Sequence, residues 1–157
     1  MGEPGAAIKN FEDALRLDRG YAACWSNLAA AQRDTGNFPK AMQALDRAME
    51  LDPRLAQAHH IRGTVFAKLA RFDDAVACFD RSLELSPDTC EVMIAKSDML
   101  RDMDRPAEAE AVLRDVLGIE PRNAFALHAL GVLSEQLGDR QAAADYFKRS
   151  IESVSYT

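Results

Sequence analysis

The sequence predicts an all-α fold: an α-solenoid of stacked helix-turn-helix repeats. Three observations predict it. Pro53, Pro87 and Pro121 lie 34 residues apart, and a fixed period in this range means stacked supersecondary units. Apolar residues recur at helical spacing, as in Leu127, Leu130, Leu133 and Leu137. Alternating β-branched runs, the mark of strands, are absent.

With Ala22 as position 1, four full units follow: 22–55, 56–89, 90–123 and 124–157. Each splits at a turn. Gly36-Asn37 divides the first, Ala70-Arg71 the second, Asp104-Arg105-Pro106 the third and Gly138-Asp139 the fourth. Each unit thus reads as helix A, turn, helix B. Pro39 and Pro106 fall in or beside the first turn of a B helix, where a missing N–H costs little. Thr89 and Asn123 stand where an N-cap should precede an A helix. Residues 2–21 match only the second half of a unit: Gly2 aligns with Gly36, Ala7 with Ala41, Phe11 with Leu45 and Ala14 with Ala48. The whole of 1–157 is expected to be a single array.

The columns of this alignment carry the packing. Position 20 is Ala41, Ala75, Ala109 and Ala143. Position 8 is also small: Ala29, Gly63, Ser97 and Gly131. A mid-helix glycine costs about 1 kcal/mol against alanine, so its recurrence marks a close helix contact. Position 24 is bulky, with Leu45, Phe79, Leu113 and Phe147 filling the space.

These residues resemble the tetratricopeptide repeat family, whose 34-residue unit sets Trp, Leu, Gly, Tyr, Ala, Phe and Pro at fixed offsets, and the resemblance implies that the α-solenoid winds as a right-handed superhelix. The first unit shows Trp25, Leu28, Ala29, Ala41 and Pro53; the second Gly63, Phe66, Ala75, Phe79 and Pro87; the fourth Leu130, Gly131, Ala143 and Phe147. Gln32 and Ser134 depart from the pattern where it has an aromatic, and Ser155 replaces the last proline. The third unit is the weakest match.

Charge and composition exclude several classes of function. Net charge is −6 with a pI near 5.1. Nucleic-acid binding needs a basic stripe, and none is present; anionic membrane surfaces are disfavoured for the same reason. No apolar run approaches the ~20 residues of a membrane span. The start of the chain lacks the features of a signal peptide. With three cysteines, Cys24, Cys78 and Cys90, the expectation is reduced thiols in a cytoplasmic protein.

No catalytic motif occurs, and no cofactor is expected. His59 and His60 are adjacent, so they point about 100° apart on a helix and do not share a metal. Asp73-Asp74 suits a helix start. The expected function is therefore binding, and the protein is not expected to be an enzyme.

The resemblance implies that helix A positions 2, 5, 6, 9, 12 and 13 line a concave groove for a partner peptide or helix. In the first two units these include Ser26, Asn27, Arg33, Gln57, His60, Ile61, Thr64 and Lys68. In the last two they include Glu91, Asp98, Arg101, Asp102, Phe125 and His128. Acidic residues outnumber basic ones, which predicts a basic or neutral ligand segment held by Asn27, Asp98, Asp102 and Phe125. Asn27 matches the middle asparagine of the family's carboxylate clamp, but Gln57 and Ile61 stand where the clamp has Lys and Arg. The asparagine ladder of repeats fused to sugar-transferring enzymes is represented by Asn27 alone. Two alternatives stand beside the scaffold: a substrate-recruiting segment of a larger enzyme, such as a glycosyltransferase, and a self-assembling structural protein. Open solenoid ends would support self-association through Ile8, Phe11 and Leu15 at one end and Tyr146 and Ile151 at the other.

Overall fold

The computed structural model describes residues 4–155. Gly2, matched above to Gly36, lies outside them. Among the described residues there are nine α-helices and no strand. They are α1 (Pro4–Leu17), α2 (Ala22–Asp34), α3 (Phe38–Leu51), α4 (Ala56–Lys68), α5 (Phe72–Leu85), α6 (Cys90–Asp102), α7 (Pro106–Ile119), α8 (Ala124–Gln136) and α9 (Arg140–Ser155). The helices that open the repeats, α2, α4, α6 and α8, begin 34 residues apart. None of the nine is long and apolar enough to cross a membrane. The chain divides into two compact units, one running to Pro87 and the other from Asp88. They hold α1–α5 and α6–α9 respectively.

The turns inside the repeats share one device. Gly36, Ala70, Asp104 and Gly138, again 34 apart, all take positive φ. The next amide reaches back to the carbonyl five residues earlier: Asn37 N to Gln32 O at 2.8 Å, Arg71 N to Phe66 O at 2.9 Å, Arg105 N to Leu100 O at 2.8 Å and Asp139 N to Ser134 O at 2.9 Å. This is a Schellman motif, which satisfies the last carbonyls of helix A with a left-handed residue. Glycine takes that conformation without cost, whereas Ala70 and Asp104 hold it under strain. Two of the B helices that follow carry a side-chain cap, and α5 and α7 have no side-chain cap bond. Asn37 and Asp139 accept from Lys40 N and Ala142 N. Arg71 and Arg105 instead pair with Asp74 and Glu108, three residues on. Asn123 accepts from Ala126 N at the start of α8, while Thr89 occupies the same position before α6 without a side-chain cap bond.

In the first unit α2 packs on α3, α4 packs on α5, and α1 lies against α2. Ala29, Ala41, Leu45, Ala48, Ala58 and Val65 are fully buried. In the second unit α6 packs on α7, and α8 packs on both α7 and α9. Its core holds Val92, Leu100, Leu113, Val116, Leu127, Leu130 and Leu133. Position 20 is closed to solvent in every repeat, from 0% at Ala41, Ala75 and Ala109 to 4% at Ala143.

In the second and fourth repeats helix A approaches helix B closely at positions 8 and 24. A Cβ built on Gly63 would sit 2.6 Å from the Phe79 ring, and one on Gly131 would sit 2.6 Å from Phe147. The second and fourth repeats thus pair Gly with Phe, and the first and third pair Ala29 or Ser97 with Leu45 or Leu113. The same two repeats share another bond. Ser82 Oγ donates to Ala56 O at 2.9 Å, and Ser150 Oγ to Ala124 O at 3.1 Å. Their histidines, His60 and His128, pack against the same phenylalanines at ring separations of 6.0 and 5.5 Å.

This pairing makes a prediction. Gly63→Ala should destabilise the protein by about 1–3 kcal/mol, because the Phe79 ring must move. Adding Phe79→Leu, the pair that the first repeat carries, should recover part of that loss although it shrinks the core. Urea unfolding of both singles and the double would measure the coupling; strictly additive effects would contradict the contact.

Candidate functional site

The residues expected to line a groove sit on helices that the core holds by their opposite faces. In the first unit the structure brings four of them together as two pairs. Gln57 Nε2 donates to Asn27 Oδ1 at 3.0 Å. Arg33 Nη1 donates to Thr64 Oγ1 at 2.8 Å, and Thr64 Oγ1 in turn donates to Ile61 O at 2.7 Å. Both pairs join α2 to α4. Arg33 also meets Asp34 at 2.8 Å. These polar groups, read from the sequence as ligand contacts, bind one another across neighbouring repeats. Asn27 is therefore an inter-repeat tie on the face expected to meet a ligand. A partner would have to displace Gln57 to reach it.

Ser26 and Ile61, placed on the groove by their repeat positions, are buried at 0% and 4%. The helix turns them inward, so they do not line a surface. Lys68 is exposed at the end of α4, and His60 is half-buried beside Phe79. His59 shows what replaces the repeat's tryptophan. Trp25 Nε1 donates to Arg19 O at 2.9 Å, and His59 Nε2 meets Pro53 O at 3.0 Å. Each ring reaches the backbone six residues earlier, so His59 acts as a packing residue.

In the second unit the acidic residues of α6 come with their own counterion. Arg101 Nη2 lies 3.2 Å from Asp98 Oδ1, and Arg101 Nε lies 3.9 Å from Asp102 Oδ1. Partial burial raises the Asp98 carboxyl above its usual range; Arg101 opposes this and Asp102 adds to it. Glu91 is exposed at the start of the same helix. On α8, Phe125 is 77% exposed, while its neighbours Ala126 and Leu127 are at 0% and 1%. His128 is exposed one turn further on, so it shares that face with Phe125.

The residues expected to mediate self-association do not form continuous patches. Leu15 is 5% exposed, part of the core that includes α2 residues, which removes it from the open surface. Ile8 and Phe11 are half-buried against the same core. Tyr146 is half-buried, with Arg149 5.7 Å from its ring centre. Ile151 is 69% exposed. Five residues turn a helix by about 140°, so Tyr146 and Ile151 face different ways.

The thiols offer no reactive centre. Cys24 and Cys90 are buried, and burial is the main cause that pushes all three thiols upward. Among the described residues no group of three His, Cys, Asp or Glu side chains is arranged to hold a metal ion. The first unit also carries a cleft of about 630 Å³ between α1, α2 and α3, lined by none of the predicted groove residues. Its signal in the sequence was Gln32, a short polar side chain where the repeat pattern has an aromatic.

Models described as tetratricopeptide repeat match residues 1–65, 56–89 and 94–156. A human protein, DnaJ homolog subfamily C member 7, is 29% identical over 145 residues, covering 84% of this chain and 29% of that protein. UDP-N-acetylglucosamine--peptide N-acetylglucosaminyltransferase of Giardia intestinalis is 34% identical over 82 residues, 52% of this chain but 6% of the transferase. The chain thus spans under a third of the length of either. The structure of pilF from Pseudomonas aeruginosa superposes with a TM-score of 0.87 at 17% identity, covering 96% of this chain and 68% of that one. It shares the fold.

The Asp98 environment makes a prediction about pH. A carboxyl raised above its unfolded value stabilises the fold while protonated and loses that contribution as pH rises through its folded pKa. Asp98→Asn, which imitates the protonated form, should therefore match the parent at low pH and exceed it at neutral pH. Urea unfolding at pH 3 and pH 7 would check this; a variant weaker than the parent at pH 7 would mean that the Arg101 pair outweighs burial.

Proposed function

This chain belongs to the tetratricopeptide repeat family, and on that premise we propose that it is a protein-interaction module that recruits a partner peptide or helix. The observation that carries the reading is Phe125, a large aromatic 77% exposed on a helix otherwise locked into the core. Rigidly held exposed aromatics are the side chains that anchor partners. Glu91, Asp98 and Asp102 in the same unit favour a partner segment with basic character, and their charge would act mainly on association rate and specificity. His128 extends the aromatic face. In this reading the module binds and does not itself catalyse, and it works in the cytoplasm. The similarity to part of a peptide-modifying transferase supports the variant in which the module recruits substrate for a larger enzyme.

Displayed peptides selected on the parent protein provide the test. Binding of a selected peptide to Phe125→Ala should weaken about tenfold or more, and Asp98→Lys with Asp102→Lys should weaken basic peptides further. Peptides that bind both variants as they bind the parent would overturn the reading.

A second reading, self-association, is supported by Ile151 and Val154, which stand 69% and 61% exposed on α9. A second copy would cover them. Light scattering should then show a dimer that Ile151→Asp dissociates, and a parent that stays monomeric at high concentration would end it.

A further inference from the structure

The cleft between α1, α2 and α3 has the features of a binding site of its own. It encloses about 630 Å³, within the range of ligand pockets. It lies within the first unit, apart from Phe125 and the acidic residues of the second. Its lining is cationic: Arg16, Arg19, Lys40 and Arg47 face it, against the single carboxylate of Glu12. Arg16 and Arg47 are paired along their own helices with Asp13 and Glu50. Arg19 and Lys40 form no ion pair among the described residues. In a chain of net charge −6, such a concentration of positive charge is a local exception.

The decisive group is Gln32. It lines the cleft, is 5% exposed, and its Oε1 has no hydrogen-bond partner. A buried polar atom left unpaired costs the fold about 1–3 kcal/mol. A ligand that donates a hydrogen bond to it removes that cost. Gln32 stands in the cleft at the position where the repeat pattern places an aromatic, and Trp25 and Leu28 form the apolar wall beside it.

We propose that this cleft binds an acidic peptide segment. Its carboxylates pair with Arg19 and Lys40, and a backbone N–H beside them donates to Gln32 Oε1. An aspartate or glutamate residue carries both groups within a few ångströms of each other, which a simple dicarboxylate does not. The electrostatic preference is opposite to that proposed for the second unit, so one chain would hold partners of opposite charge at two places.

Trp25 is the chain's single tryptophan, so its fluorescence reports on this cleft. The probes are an acetylated, amidated Asp-Glu-Asp peptide, its Asn-Gln-Asn counterpart and succinate. The acidic peptide should shift Trp25 emission saturably, and its amide counterpart should bind about tenfold more weakly. Arg19→Ala with Lys40→Ala, both at exposed positions, should cost about tenfold in affinity with an unchanged circular dichroism spectrum. Gln32→Leu should weaken the peptide while leaving the response to succinate unaltered. No saturable shift, equal binding of the amide peptide, indifference to the Arg19 and Lys40 changes, or succinate matching the peptide would each overturn the proposal. Since Phe125 is untouched throughout, these outcomes are independent of the groove reading.

Discussion

The fold depends on how closely helix A can approach helix B within one repeat. That distance is set where position 8 meets position 24. At Gly63 and Gly131 there is no room for a Cβ beside the phenylalanine ring. Two glycines in mid-helix are a poor choice for an isolated helix. They persist because the ring fills the space with dispersion contacts that no looser pair would make. With this distance fixed, Ala41, Ala75, Ala109 and Ala143 can only be small, and the serines at 82 and 150 reach the first carbonyl of their own A helix. The two partners of each contact belong to the same 34-residue block. Each block thus carries both halves of its tightest fit, and the second and fourth repeats carry the same set.

The period made most of this legible in advance. Prolines mark the joints between repeats, small and large columns mark the seam, and the four turns fall where the sequence places them. The turns also show the limit of reading by residue type. Glycine at 36 and 138 signals a left-handed residue, but Ala70 and Asp104 hold the same conformation because the flanking helices and the hydrogen bonds of the motif impose it. Phase decided those two positions, against local preference.

The surface was less legible, for a physical reason. A repeat position tells which way a side chain leaves the helix. It does not tell whom the chain end meets. Asn27, Arg33, Gln57 and Thr64 all leave toward the expected face, yet each is long enough to find a partner on the neighbouring helix 30 or 31 residues away in sequence. Arg101 likewise turns back on the two aspartates that the sequence alone offered as ligand contacts. Gln32 shows the reverse case. A residue that looked like a mere departure from the family pattern lines a cleft and brings a buried acceptor into it.

The exchange of tryptophan for histidine at position 4 has a consequence for how the repeats are joined. Trp25 ties its helix to the carbonyl of Arg19 in the preceding connection, and His59 ties its own to the carbonyl of Pro53. A carbonyl only accepts, so the imidazole must carry its hydrogen on Nε2. With its hydrogen there, the smaller imidazole makes the same donor contact as the indole, so the link between repeats survives the exchange of one ring for the other.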